Sequence, residues 1–376
     1  KKRVIALKRY VEYHKKFLGG RQMKMKKFFA AVLAVVMVLA VVTGCSKGSG
    51  KASADTQKKG MESTFKLKYK DSNGISDITL KSVAAGKEAA VSINGSVNVE
   101  GESYTVNSDK LLVVSDNKLY VNVKSLLDFI ASYGENMGIY GSQIDAVKEY
   151  IKEDYVYVDL DSMKDYLKEA DSKSVIDTVN GLMDAFKDIA EVSGNDTLKQ
   201  YTVTCKSAED IVKIAEVLKK YIADNKSAWV DAAYEQYSKI DINDVMDKAA
   251  DMVVSAMGQD ESMSEMLKKQ ILANIDVSSY EISKEALAES FDKIEEMLDV
   301  DASDIKDFNG DATFKITSSG DRTYGISFEA NGENGEYAYI SYTLNNETSI
   351  DASAPDKAQN ISDIVSDLVK GLAATK

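Results

Sequence analysis

Thiol and imidazole side chains, the usual nucleophile and zinc-ligand groups, are few in this chain. It holds two cysteines, Cys45 and Cys205, and one histidine, His14, in 376 residues. From residue 15 onward there is no imidazole, which excludes Ser-His-Asp and Cys-His nucleophiles and histidine-bearing zinc sites there. Cys205 follows Tyr201 and Val203 in period two, the pattern of a half-buried strand, and so reads as a packing residue rather than a reactive thiol. Carboxylates are plentiful, as at Asp241/Asp244, Glu295/Glu296 and Asp159/Asp161. Glycoside hydrolysis needs two of them roughly 5 to 9.5 Å apart in a cleft. With 60 acids in the chain, proximity in sequence singles out no pair. Asp299, Asp301 and Ser303 alternate like the opening of a calcium loop. Asp304 stands where such a loop needs Gly, and Gly310 where it needs Glu, so an aspartate-rich helix end is the better reading. Arg322 has the planar fork that clamps carboxylate or phosphate, against the plainer use of an exposed strand-edge arginine. Tyr155/Tyr157 and Tyr337/Tyr339 place tyrosine pairs on single strand faces, for stacking or for half-buried packing. Met246, Met252, Met257, Met263 and Met266 cluster after Trp229, the only tryptophan. Methionine-rich surfaces adapt to varied apolar ligands, and helix core is the competing use.

The most specific spacing lies upstream. Phe28 to Val42 is apolar, sits behind Lys24, Lys26 and Lys27, and runs into Val42-Thr43-Gly44-Cys45. A basic start, a short apolar core and small residues before a cysteine resemble a bacterial lipoprotein signal peptide with its lipobox. Gly44 and Cys45 match the strict positions of that motif, and Val42 and Thr43 are variants at the looser two. The resemblance implies diacylglycerol on the Cys45 sulfur, cleavage just before Cys45, and a membrane-anchored body on the extracytoplasmic face. The apolar run is shorter than the roughly 20 residues of a membrane span. Met23 or Met25 is the expected initiator, which makes residues 1–22 an untranslated upstream extension and 23–44 the signal peptide. The rival for residues 1–22 is a basic amphipathic helix on a membrane surface.

Removal of that segment changes the charge balance. Residues 1–45 hold 11 of the 47 Lys+Arg and one of the 60 Asp+Glu, leaving 36 basic against 59 acidic residues and a net charge of −23. Such a surface repels nucleic acid and anionic headgroups, so neither is expected to meet the body of the protein. With Cys45 lipidated, Cys205 is the only thiol left. No intramolecular disulfide forms, and a packed core must hold the fold. Arg322 is the only arginine after the signal peptide, a Lys-rich, Arg-poor bias that leans towards a Gram-positive host.

Residues 45–60 comprise the lipidated cysteine and a polar, small-residue tether, and residues 61–376 a single domain. From about Glu62 to Lys124 apolar residues alternate with turn punctuation: Phe65, Leu67 and Tyr69, then Ile78 and Leu80, then Val91 and Ile93. Asn94-Gly95 is the strongest short hairpin signal, and Asp116-Asn117 precedes Leu119, Val121 and Val123. This predicts a meander of about six antiparallel strands. From about Ser125 to Val300 the period is helical. Ser207-Ala-Glu-Asp210 resembles a capping box ahead of Ile211, Ile214, Ala215, Leu218 and Ile222. Val175, Val179, Met183, Phe186 and Ala190 form a second stripe, and Leu287, Phe291, Ile294 and Leu298 a third. Short strands are expected near Tyr155–Leu160 and Leu198–Cys205. Strands return with Phe314 and Ile316, with Tyr324, Ile326 and Phe328, and with Ala338, Ile340, Tyr342 and Leu344. Pro355 is expected in the first turn of a closing helix through Ile361, Ile364, Val365, Leu368 and Leu372.

Strands, helices, then strands argue an α+β fold, with the N- and C-terminal strand groups paired into one curved antiparallel sheet against a central helical segment. A lipidated cysteine, a tether and such a sheet resemble the LolA/LppX-like lipoprotein-carrier fold, in which an open half-barrel holds acyl chains. The resemblance is architectural, over roughly residues 61–373. It implies a non-enzymatic protein without cofactor or metal, binding a lipid or other hydrophobic ligand. The cavity would be lined by Leu67, Val91, Val121, Phe314 and Ile326 and closed by the helices bearing Met252 and Met257. Three alternatives stay open: a solute-binding lipoprotein of a transporter, a structural or adhesive envelope protein, and a surface hydrolase using carboxylates alone.

Overall fold

The computed structural model describes residues 58–71, 74–99, 102–137, 148–160, 173–195, 197–238, 243–244, 247, 250–251, 254, 265–269, 283–303, 311–320, 322–332, 336–364 and 366–367. The lipobox residues Val42, Thr43, Gly44 and Cys45, together with Met252 and Met257, lie outside them. Five strands open the fold: β1 Lys58–Asp71, β2 Gly74–Ala85, β3 Glu88–Val99, β4 Glu102–Ser115 and β5 Lys118–Asn122. Helix α1 spans Val123–Met137, followed by β6 Tyr155–Asp159, α2 Lys173–Phe186, β7 Glu191–Gly194, β8 Lys199–Cys205, α3 Ala208–Tyr237 and α4 Lys284–Met297. The chain ends in β9 Ala312–Ser319, β10 Thr323–Asn331, β11 Tyr337–Ile350 and the two-residue β12 Gln359–Asn360.

All twelve described strands join one sheet in the order β12-β6-β5-β4-β3-β2-β1-β11-β10-β9-β8-β7. It is curved and antiparallel throughout except where β12 lies parallel to β6. The first and last strand groups meet at β1 and β11, as the segregated pattern predicted, in a register that sets Phe65 beside Tyr342 and Leu67 beside Ile340. Following the ladders, Ile316, Ile326, Tyr342, Phe65, Leu80, Ile93 and Ser108 form one row across seven strands on one face. We call this the inner face.

Helices cover the inner face of the β8–β11 half. The three apolar stripes read from the sequence are the buried ones. Val179, Met183 and Phe186 of α2, Ile211, Ile214 and Leu218 of α3, and Phe291 and Ile294 of α4 enclose Phe314, Ile316, Ile326 and Phe328. The Phe186 and Phe314 ring centres are 4.6 Å apart. Ser207 caps α3 by accepting from the Asp210 amide, while the Asp210 carboxylate accepts from the Lys206 amide at 3.1 Å. That reach lands one residue upstream of the N-cap amide that a reciprocal capping box would use. Gly181 lets α2 approach α3: a Cβ there would stand 2.9 Å from the Tyr221 hydroxyl, which donates to the Thr178 carbonyl at 2.6 Å.

Three local expectations are corrected. The opening meander has five strands rather than about six, because the strands run 12 to 14 residues in β1–β4 and Val123 and Lys124 already begin α1. Asn94-Gly95 makes no hairpin. It lies inside β3, where Gly95 takes φ 150° and a Cβ would fall 2.0 Å from the Asp77 carbonyl oxygen. The glycine serves close strand approach rather than a turn. Asp116-Asn117, with φ 53° and 58°, does form a tight turn, of the kind that suits strand twist. Pro355 opens no helix. It sits in the irregular stretch between β11 and β12, and helix begins only at Ile361.

That stretch, residues 351–358, forms a strap. It leaves the sheet beside β1 and re-enters beside β6, so it crosses the outer face of β1–β5. Ala352 is buried there against Val83, Ala90, Val113 and Tyr120, with Ala354 and Ala358 packed alongside. Small side chains let the strap lie close, and proline holds the preceding residue extended.

Candidate functional site

On the inner face of β2–β5 Tyr104 and Val106 are buried, but a further set of apolar side chains stays part-exposed. Ile78 and Leu80 on β2, Val91 and Ile93 on β3, Leu112 on β4 and Val121 on β5 point to this face by register. Leu80 is 37% and Leu112 36% exposed, and the other four are half-buried. Among the described helices, α1 packs on this half, against β4 and β6. Its start is fixed by the Asn122 carboxamide, which accepts from the Ser125 amide at 3.0 Å.

Two polar features punctuate the trough. The Ser63 and Ser82 hydroxyls bond each other at 2.6 Å, satisfying both within the apolar row. Ser108 is 5% exposed and, among the described residues, its hydroxyl has no hydrogen-bond partner. An unmet buried hydroxyl costs free energy, and here it offers one polar handle on an otherwise apolar wall. An apolar concavity with few polar groups is the usual composition of a small-molecule site. The sequence pattern gave Ser108 no prominence, since a serine in a strand period reads as a solvated position.

The cavity residues expected from sequence separate into two groups. Leu67, Val91 and Val121 lie half-buried on the inner face, with Leu67 at the margin of the helix-covered core. Phe314 and Ile326, 2% and 3% exposed, lie inside that core and line no open space. Of the methionine cluster only Met266 is described, and it is 56% exposed. Trp229 is core, its ring centre 5.6 Å from Tyr221 and 5.8 Å from Phe291.

The remaining candidates resolve into ordinary roles. Cys205 is fully buried, and burial, with the Asp210 charge second, pushes its thiol up to about 12, so it is no nucleophile near neutrality. The Asp301 carboxylate accepts from the Ser303 amide at 2.8 Å and Asp299 pairs with Lys219 at 2.7 Å. No cluster of metal-ligating side chains occurs among the described residues. Arg322 is exposed at the β9–β10 turn. Tyr155 and Tyr157 face the strap side. Tyr155 donates to the Lys110 carbonyl at 2.9 Å, and Tyr157 lies 5.7 Å from Tyr120 with the Lys118 ammonium 4.5 Å from its ring centre. Among the described residues no helix is long and apolar enough to cross a membrane.

A concavity lies at the other end of the inner face. It encloses about 280 Å³ between α2 and the ends of β8–β10. Asn180 and Asp184 reach it from the helix, Lys199 and Tyr201 from β8, above Met183 and Tyr324. No protein-family profile matches the chain, and no curated protein sequence matches it.

Proposed function

We propose that this chain is a lipid-anchored extracytoplasmic protein, not an enzyme, that binds a lipid or other hydrophobic ligand on the inner face of β2–β5. The observation that carries the reading is the apolar trough ending in exposed Leu80 and Leu112, on the face that helices fill in the other half of the same sheet. The anchor rests on Val42-Thr43-Gly44-Cys45 behind the basic and apolar segments. Acyl chains contribute about 0.8 kcal/mol per buried CH₂, enough for two chains to hold the body at a membrane. The tether expected over residues 46–60 ends earlier, because Lys58, Lys59 and Gly60 already pair in β1; the segment ahead of them would clear an acidic body from the headgroups.

Two experiments separate the parts of this reading. Cys45→Ala abolishes labelled fatty-acid incorporation and releases the protein from membranes; a variant that stays cleaved and membrane-bound refutes the anchor. For the ligand, an environment-sensitive fatty-acid probe binds the folded wild type at micromolar affinity. Leu80→Glu, Leu112→Glu and Val121→Glu abolish that binding while circular dichroism stays native, since these positions are already part-exposed. A wild type that binds no probe leaves a structural or adhesive role in its place.

A further inference from the structure

The polar concavity between α2 and β8 is remote from the trough, with β9, β10, β11 and β1 between them in the sheet, and the proposed role makes no use of it. Asn180 and Asp184 stand four residues apart on α2, one above the other on a helix face. Lys199 and Tyr201 stand two apart on β8 and point to the inner face, opposite Ser318 and Ile316 of β9. Among the described residues, none of these four side chains makes a hydrogen bond or ion pair. Asp184 and Lys199 therefore line one cavity with opposite charges that do not neutralise each other. The apolar floor is Met183 and Tyr324. Val192 of β7, 57% exposed, stands directly opposite Tyr201 in the ladder and so on the same face beside the cavity.

We propose that this pocket binds a small zwitterion with an apolar side chain, of the α-amino-acid class. The Lys199 ammonium takes the ligand carboxylate, and the Asp184 carboxylate and Asn180 carbonyl accept from the ligand ammonium. Tyr201, Met183 and Val192 contact the apolar part. The charge pattern selects against the neighbouring classes. A simple anion meets Asp184 in a chain of net charge −13, and a simple cation meets Lys199, each a like-charge penalty. A neutral polyol pairs with neither charge. The cavity is near the small end of ligand sites, which suits one amino acid rather than a peptide.

The test is calorimetric titration of the purified protein with L-leucine, L-leucinamide, 4-methylpentanoate and glucose. L-leucine binds, and the amide and the acid, each lacking one charge, bind at least tenfold more weakly. Asp184→Asn and Lys199→Gln each weaken L-leucine binding at least tenfold. Both side chains are exposed, and unchanged circular dichroism confirms that the variants fold. Absence of L-leucine binding overturns the proposal. So does equal binding of either analogue, preference for glucose, or variants that bind like wild type. A fatty-acid probe bound in the trough is not displaced by L-leucine, so failure here leaves the trough reading standing, and the reverse holds.

Discussion

Ile316, Ile326 and Tyr342 continue into Phe65, Leu80 and Ile93 as one row on one face of one sheet, yet the two ends of that row meet different surroundings. Ile316 is wholly buried and Ile326 is 3% exposed, whereas Leu80 is 37% exposed. In the β8–β11 half, α2, α3 and α4 fill the inner face, and the outer face is polar, with Lys315, Ser327, Glu329 and Tyr339 in register. In the β2–β6 half, buried apolar residues occupy the outer face beneath the strap, and the inner face keeps its trough. The same period-two alternation therefore yields a filled core in one half and, in the other, an inner face buried at Tyr104, Val106, Ser108 and Val156 but part-exposed at Leu80 and Leu112. The lesson is that alternation tells which residues share a face, and the covering elements decide what that face does.

Truncation should break this contrast most sharply. Phe314→Ala or Phe186→Ala removes a fully buried ring and should cost about 3 to 5 kcal/mol. Leu80→Ala and Leu112→Ala, part-exposed already, should each cost under about 1 kcal/mol. Urea unfolding of the four variants measures both, and equal losses in the two halves would refute the division.

Alkali probes the filled half next. Burial raises Cys205 from 9.0 to about 12 and Tyr221 from 10.0 to about 12. Both groups are held neutral in the fold, so the unfolded chain loses its protons first as pH rises. Stability is therefore full below pH 9 and falls as pH climbs from 9 towards 12, by about 1.4 kcal/mol per unit for each group titrating only in the unfolded state. Cys205→Val should flatten the first part of that fall in pH-dependent denaturation curves. An unchanged slope would remove the cysteine from the account.

The strap gives the smallest effect. Asp351 pairs with Lys110 at 2.8 Å, and Lys110 also donates to the Ser353 hydroxyl at 2.9 Å. The Lys110 hydrogen bond first, then those from Ser353, hold the Asp351 carboxyl well below its usual range. Its contribution is present above the unfolded carboxylate pKa and is lost as pH falls through the folded value. As the carboxylate is largely exposed, the pair is worth about 0.2 to 1 kcal/mol. Lys110→Ala should lower stability by that amount at neutral pH and by less in strong acid, and amide exchange at Gln359 and Asn360 should quicken. A variant with wild-type exchange there would show that the strap is held by its alanines alone.

Much of the frame was legible from the chain. The stripes at Ile211, Ile214 and Leu218 and at Phe291 and Ile294 are helical because apolar residues recur at three and four, and Ser207 marks a start by supplying an acceptor. The strand period at Phe314, Ile326 and Ile340 is equally local. Asn94-Gly95 misled because its turn preference is weaker than the hydrogen bonds gained by continuing β3 between β2 and β4. The strap was invisible because Ala352, Ala354 and Pro355 carry no period and owe their burial to strands far away in sequence.

The sequence by itself determined most of the elements, the segregation of strands from helices, and the strand period that carries Cys205, each a property of neighbours within a few residues. It also specified the lipobox-like run that ends at Cys45. Only the tertiary structure decided that Phe314 is core while Val121 stays half-buried on the inner face, that Ser108 lacks a partner among the described residues, and that Lys199 and Asp184 line one cavity. Those facts depend on which distant segment arrives at each face, and a period of two assigns a side chain to a face without saying what will cover it.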